Sequence, residues 1–237
     1  MTPNQVTAIR VVMAFAGVMV FWRFDSSGAL SIWAGAAGLA LIIAAIALDG
    51  VDGWLARRKK LTTPLGGQID ILGDRIVENL FFTFFAVTGL VSLWVPVVFF
   101  VRGLLTDFLR SVAERTHRTA GPASAFRRNW MLESAWGRVL VASRTSRAAY
   151  GALKCICFCA LAAQLTFVRA SLESLSALPW RFAIAVSTQI LVGLTVGFCL
   201  LRASPVFWEA RATLASLASS SPSRPRPESA AISGARA

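Results

Sequence analysis

Four aspartates stand in two short segments whose spacing is typical of a two-metal site. Asp49 and Asp52 are three residues apart, and Asp70 and Asp74 are four apart. On α-helices these spacings put each pair on one helix face. Carboxylates brought together repel one another unless cations neutralise them, and Mg²⁺ or Mn²⁺ prefers oxygen ligands of this kind. We therefore expect all four aspartates to bind two divalent metals, an arrangement that suits phosphoryl transfer.

Small and basic residues accompany these acids. Gly53 and Ala56 follow Asp49 by four and seven residues and share its helix face, and Gly66 precedes Asp70 by four. Such positions leave room for a nucleotide near the backbone, and Arg57 can donate to a phosphate oxygen. The alternative reading, acidic residues at two ordinary helix ends, explains one or two aspartates but not four on converging faces.

The segments that must position these residues are apolar and of membrane-spanning length. Hydrophobic residues make up 56% of the 237-residue chain, and about 20 apolar residues span a bilayer. We predict an all-α integral membrane protein with six transmembrane helices, a membrane domain over residues 1–205 and a largely disordered tail over 206–237. The predicted helices cover residues 6–22, 29–48 with an aqueous extension to 58, 64–94, 97–112, 139–167 and 182–201. Pro96 marks the expected break between the third and the fourth.

The distribution of cations predicts the orientation. With both termini in the cytoplasm, the external loops contain only Arg23, Arg169 and Arg181, while the remaining basic clusters face inward. This orientation places the aspartates at the cytoplasmic boundary. The net charge of +12 fits anionic lipid better than nucleic acid, because the chain has apolar runs of spanning length and no nucleic-acid motif. We expect a location in a bacterial inner membrane.

The central motif resembles the signature of the CDP-alcohol phosphotransferases, D-x2-D-G-x2-A-R-x8-G-x3-D-x3-D, at every fixed position from Asp49 to Asp74. Pro3-Asn4, Thr7 and Arg10 are similar to the lead-in to the family's first helix. The resemblance extends over about residues 2–202 and is weak after Asp74.

The resemblance implies a membrane transferase that uses CDP-diacylglycerol and releases CMP. The four aspartates would share two metals, and Asp74 would also be the general base that deprotonates the acceptor hydroxyl. The CDP moiety would lie against Gly53, Ala56, Arg57 and Gly66. Members of the family often form homodimers, although nothing in this sequence shows an interface.

The acceptor is a small alcohol whose identity the sequence leaves open. Arg102, Arg144, Arg147 and Lys154 lie within predicted helices, where cations are costly unless they face a polar cavity or an anion. They suggest a pocket for a phosphorylated acceptor, although snorkelling toward the cytoplasm is the alternative for Arg144 and Lys154. We favour glycerol 3-phosphate, with inositol or inositol phosphate as the second choice.

A divalent-cation transporter is the rival from another class, since acids within membranes also mark ion pathways. The Gly-x-x-Ala-Arg run from Gly53 to Arg57 argues against it, because a nucleotide site needs that run and a transporter does not. His117 and the basic loop 115–138 have no assigned role.

Overall fold

A computed structural model describes residues 3–23, 29–59, 64–119, 137–169 and 179–219. Inside these ranges a number of side chains, including all those of residues 49–59, 64 and 65, lie outside the described part. Within the described residues the backbone forms six α-helices and a π-helical segment, and the prediction of an all-helical protein is confirmed. The helices are α1 (Pro3–Arg23), α2 (Ala29–Lys59), α3 (Pro64–Val87), α4 (Trp94–Thr119), α5 (Arg144–Arg169) and α6 (Pro179–Ser219), and the π-helical segment is Arg138–Ala142.

Several of these helices have the length and composition of membrane spans. In the described part of the chain three apolar stretches are long enough to cross a bilayer: Asn4–Arg23, Thr145–Val168 and Phe182–Trp208. Trp33–Leu48 in α2 is a shorter apolar stretch. Large apolar side chains such as those of Trp33 and Phe182 are 75% and 76% exposed, which suits a surface that faces lipid. The apolar stretches and the exposed apolar side chains are consistent with an integral membrane protein.

Helix α3 contacts α1, α4 and α5 through its buried aromatic side chains. Helix α1 packs against α2 and α3, α2 against α5, α4 against α3 and α6, and α5 against α6. Aromatic side chains of α3 fill the core: Phe82 stacks on Phe99 of α4 with centroids 4.3 Å apart, and Phe81 meets Phe158 of α5 edge-on at 5.1 Å. The helix that carries Asp70 and Asp74 is therefore held from several sides.

The break between α3 and α4 lies earlier than predicted. Helix α3 ends at Val87 rather than near residue 94, because Gly89 adopts a left-handed backbone conformation with φ of 77°. The Leu90 amide donates to the Phe85 carbonyl at 3.0 Å and closes the helix end. Pro96 lies in the first turn of α4, where its missing N–H costs no helical hydrogen bond.

The fifth and sixth helices also differ from their predicted bounds. The predicted helix 139–167 is divided at Ser143, whose extended backbone (ψ 144°) separates the π-helical segment from α5. Ser143 Oγ accepts a hydrogen bond from the Ser146 amide at 3.1 Å, so a serine starts α5 in the way that helix N-termini favour. Helix α6 continues to Ser219, so the expected domain boundary after residue 205 falls inside a helix. Residues 220–237 of the expected tail lie outside the described residues.

Candidate functional site

The first half of the aspartate site belongs to the C-terminal part of α2. The backbone there is helical to Lys59, as predicted. The side chains predicted to bind metal or nucleotide from this helix lie outside the described residues: Asp49, Asp52, Gly53, Ala56 and Arg57. Their approach to α3 therefore stays a prediction.

The second half stands on α3, where its carboxylates are accessible. Asp70 and Asp74 are one turn apart, and their side chains are 51% and 49% exposed. Gly66, one turn before Asp70, is half-buried at the start of the helix. Both carboxylates of this half can therefore reach a ligand from solvent.

Arg10 of α1 pairs with this half of the site. Its Nη2 lies 3.0 Å from Oδ1 of Asp74 and 3.9 Å from Oδ1 of Asp70. The arginine is only 2% exposed, whereas its two partners face outward. The guanidinium thus neutralises the carboxylates from their buried side.

Gly73 makes this contact between α1 and α3 sterically possible. A Cβ atom at position 73 would lie 2.9 Å from Nη2 of Arg10 and 2.7 Å from Cγ2 of Thr7. Real Cβ atoms do not approach other atoms so closely, so a side chain here would force the side chains of both Arg10 and Thr7 to move. A residue without a side chain is required at this crossing of the two helices.

A second charged cluster begins one turn further along α3, at Glu78. This carboxylate is 3% exposed and lies 3.1 Å from Lys154 Nζ of α5. Arg75 Nη1 lies 3.5 Å from the Oε2 atom of Glu78, and the Tyr150 hydroxyl donates at 3.3 Å to Oε1, the oxygen that Lys154 also contacts. A buried carboxylate is tolerated because cations and a hydroxyl surround it.

Three cations lie near the ring of Tyr150. Lys154 Nζ lies 4.8 Å from the ring centroid, and the guanidinium carbons of Arg202 and Arg102 lie 5.2 Å and 6.0 Å from it. Arg202 Nη1 also donates to the Ser146 carbonyl at 2.9 Å. The buried Nε of Arg102 has no hydrogen-bond partner in the described part of the chain. We call Arg75, Arg102, Lys154, Arg202, Glu78 and Tyr150 the Tyr150 cluster.

The Tyr150 cluster carries a surplus of positive charge. Its four cations outnumber the single carboxylate of Glu78, and Asp107, outside the cluster, adds one further acid 3.5 Å from Arg75 Nε. Such an excess next to a half-exposed carboxylate pair is chemically suited to an anionic group of a substrate.

Comparison with known families agrees with the motif. The family model for CDP-alcohol phosphatidyltransferase matches residues 1–201, most of the chain. The protein is a CDP-alcohol phosphatidyltransferase family member. A search of curated proteins finds no significant match.

Membership of this family determines the class of reaction. The protein is a transferase of phospholipid biosynthesis that takes a CDP-alcohol as donor and an alcohol as acceptor. The family generally depends on divalent metals, and the residues present can be tested for this role.

In the described part of the chain no group of three or more His, Cys, Asp or Glu side chains could hold a metal. The two described aspartates nevertheless fit such a role, because they offer half-exposed carboxylate oxygens on one face. Asp70 and Asp74 could therefore form half of a hard-metal donor set, which the predicted ligands Asp49 and Asp52 would complete.

Four cations were predicted to bind the acceptor, and the structure brings two of them, Arg102 and Lys154, together at Tyr150. Arg147 is exposed and the side chain of Arg144 lies outside the described residues. The sequence reasoning assigned no role to Glu78, Tyr150 or Arg202. The period of four from Asp70 through Asp74 to Glu78 is a signal for the first. For Arg202, in α6, only the tertiary packing indicates a role.

Proposed function

We propose that this protein transfers the phosphatidyl group of CDP-diacylglycerol to the hydroxyl of a phosphorylated small alcohol, with glycerol 3-phosphate as the favoured acceptor. The observation that carries the proposal is the juxtaposition on α3 of an exposed aspartate pair and, one turn away, the positively charged Tyr150 cluster. The first suits the diphosphate and the reacting hydroxyl. The second suits a phosphate group on the acceptor.

The proposed chemistry is a single displacement at phosphorus. The acceptor hydroxyl oxygen attacks the phosphorus that carries the lipid, the bond from that phosphorus to the CMP oxygen breaks, and CMP leaves with the bonding electrons. Asp74 takes the proton of the attacking hydroxyl. Gly53, Ala56 and Gly66 give the nucleotide room, and Arg57 donates to its phosphate. Divalent metals bound by the four aspartates would supply charge compensation for the diphosphate and for departing CMP.

The acceptor pocket is proposed around Arg102 and Arg202, and Arg144 and Arg147 stay predicted contributors to it. Lys154 is already paired with Glu78 at 3.1 Å, so less of its charge is free for a ligand. Arg102 has a buried Nε without a hydrogen-bond partner in the described residues, which a phosphate oxygen can satisfy. Charge therefore favours a phosphorylated acceptor over a neutral alcohol.

The proposal places the protein in the membrane with six spans, both termini in the cytoplasm, and the aspartates at the cytoplasmic boundary. The cation distribution of the sequence supports this orientation. Soluble glycerol 3-phosphate and the cytidine headgroup would then reach the site from the same side.

The proposal is tested by CMP release from CDP-diacylglycerol by the purified full chain in detergent, with Mn²⁺ or Mg²⁺ present. The acceptors are glycerol 3-phosphate, glycerol, inositol and inositol phosphate. We expect release with glycerol 3-phosphate and little with glycerol. Preference for inositol phosphate would preserve the pocket but replace the acceptor. Metal flux into liposomes without any CMP release would refute the enzyme and favour the transporter.

The pocket is tested separately by Arg102→Gln. Loss of one direct contact to a phosphate corresponds to about a tenfold rise in the acceptor KM, while the KM for CDP-diacylglycerol stays unchanged. Arg211→Gln is the matched control, because Arg211 lies 3.5 Å above the Trp208 ring at the far end of α6. An unchanged acceptor KM in Arg102→Gln would remove Arg102 from the pocket.

A further inference from the structure

Arg10 is a buried charged residue inside a largely apolar helix of membrane-spanning length. Helix α1 carries no acidic residue, and its stretch Asn4–Arg23 is apolar enough to span a bilayer. A guanidinium that is 2% exposed in such a helix must be compensated by partners of opposite charge. Those partners include Asp74 and Asp70 of α3, at 3.0 Å and 3.9 Å.

The position of the Arg10 guanidinium is determined by the crossing of α1 and α3. Thr7 and Arg10 are three residues apart and lie on one face of α1, and both contact the position of Gly73. Gly73 directly precedes Asp74 and lies between the two paired aspartates. The contact therefore fixes Arg10 beside the carboxylates from the interior of the protein and leaves their outer side open.

We propose that Arg10 is a positioning residue, the resident counter-cation of Asp70 and Asp74. It holds the two carboxylates in place when no metal is bound and remains beside Asp74 when one is. The inference rests on the proposed function in one respect, namely that Asp70 and Asp74 are metal ligands.

The proposal has a consequence for metal binding that an ordinary packing role lacks. A cation next to Asp74 repels an incoming divalent cation, so Arg10 weakens metal affinity while it orders the ligands. Without Arg10 the two carboxylates repel each other more strongly in the metal-free protein, and a metal relieves more repulsion when it binds. The difference in stability between metal-bound and metal-free protein should then grow.

The experiment compares the full chain with its Arg10→Gln variant in detergent. The Tm is measured in EDTA and in saturating Mn²⁺, and the Mn²⁺ affinity is measured by electron paramagnetic resonance of the free ion. We expect Arg10→Gln to lower the Tm in EDTA more than in Mn²⁺, and to bind Mn²⁺ about tenfold more tightly. Arg10→Lys keeps a cation and should restore the Tm difference and affinity toward those of the unsubstituted protein.

A second variant covers the case in which Arg10→Gln fails to fold. In Gly73→Ala the added methyl displaces the guanidinium and should widen the Tm difference in the same direction. Gly193→Ala is its matched control, because a Cβ there meets no atom within 4 Å.

Equal falls in Tm with and without Mn²⁺, or weaker Mn²⁺ binding in Arg10→Gln, would overturn the inference and leave Arg10 a packing residue. Absence of Mn²⁺ binding by the unsubstituted protein would instead overturn the metal assignment and the inference with it. Neither readout depends on CMP release, so failure of the proposed reaction is seen separately.

Discussion

At the residue scale, the acidic side chains of α3 divide between two environments. Asp70 and Asp74 are half-exposed, whereas Glu78 one turn later is 3% exposed and enclosed by Lys154, Arg75 and Tyr150. The three acids share one helix face, so their difference comes from neighbouring helices rather than from their spacing. The exposed pair suits exchangeable ligands, and the buried carboxylate suits a permanent structural role.

Replacement of Asp74 tests its proposed role as general base. Asp74→Asn keeps the shape of the side chain and an oxygen that can accept from Arg10, but it removes the charge and the basicity. We expect turnover to fall by about 10²–10⁴-fold, the usual contribution of a general base, while binding of the CDP nucleotide largely survives. CMP release and equilibrium binding of a labelled CDP nucleotide measure the two effects. Full turnover by this variant would remove Asp74 from the base role.

At the element scale, the turn after α3 determines how α3 and α4 meet. Gly89 has φ of 77° and lies between helices whose aromatic side chains, Phe82 and Phe99, stack at 4.3 Å. The Gln189 side chain of α6 also donates to the Leu90 carbonyl in this turn at 2.6 Å. The turn is therefore tied to three helices at the end opposite to the aspartates.

A substitution in this turn tests its contribution to stability. Gly89→Ala places a side chain in the left-handed region and should cost about 1–2 kcal/mol. Gly197→Ala in α6 is the matched control, because a Cβ added there would meet no atom within 4 Å. Alanine inside a helix is more stable than glycine by about 0.5–1 kcal/mol. Unfolding in mixed micelles measures both changes. A stability of Gly89→Ala equal to or above that of the unsubstituted protein contradicts the role of the turn.

At the scale of the whole molecule, charged side chains from several helices meet at one region of α3. Arg10 reaches it from α1, Lys154 from α5, Arg102 from α4 and Arg202 from α6. Elsewhere the described surface is rich in exposed apolar side chains such as Trp94 and Phe182. This segregation of charge from apolar surface agrees with an integral membrane protein.

The predicted orientation is tested with reporter fusions in recombinant bacterial cells. An alkaline phosphatase reporter, which is active outside the cytoplasm, should be active after Ser174 and inactive after Thr62 or Ala237. The physical reason is the scarcity of cations in the loops assigned to the outside. The reverse pattern would place the aspartates on the external face and contradict the proposed cytoplasmic access to soluble acceptor.

The sequence by itself determined the family, the helical class and the face shared by Asp70 and Asp74. These depend on local spacing and on apolar run length, which are read along one chain segment. It also predicted Arg102, Arg144, Arg147 and Lys154 as the cations of one acceptor pocket, and this pocket stays a prediction. Its helix bounds were less accurate at Gly89 and Ser143, where a positive φ and an extended residue interrupt apolar runs that look continuous.

Only the tertiary structure decided the partners of these charges. Arg10 lies 64 positions before Asp74 in the sequence and Tyr150 lies 72 positions after Glu78, yet both pairs are in contact. No periodicity within a helix links residues so far apart, because which helix faces meet depends on how the whole bundle packs. The burial of Glu78 and the place of Arg202 on the Tyr150 ring follow from that packing.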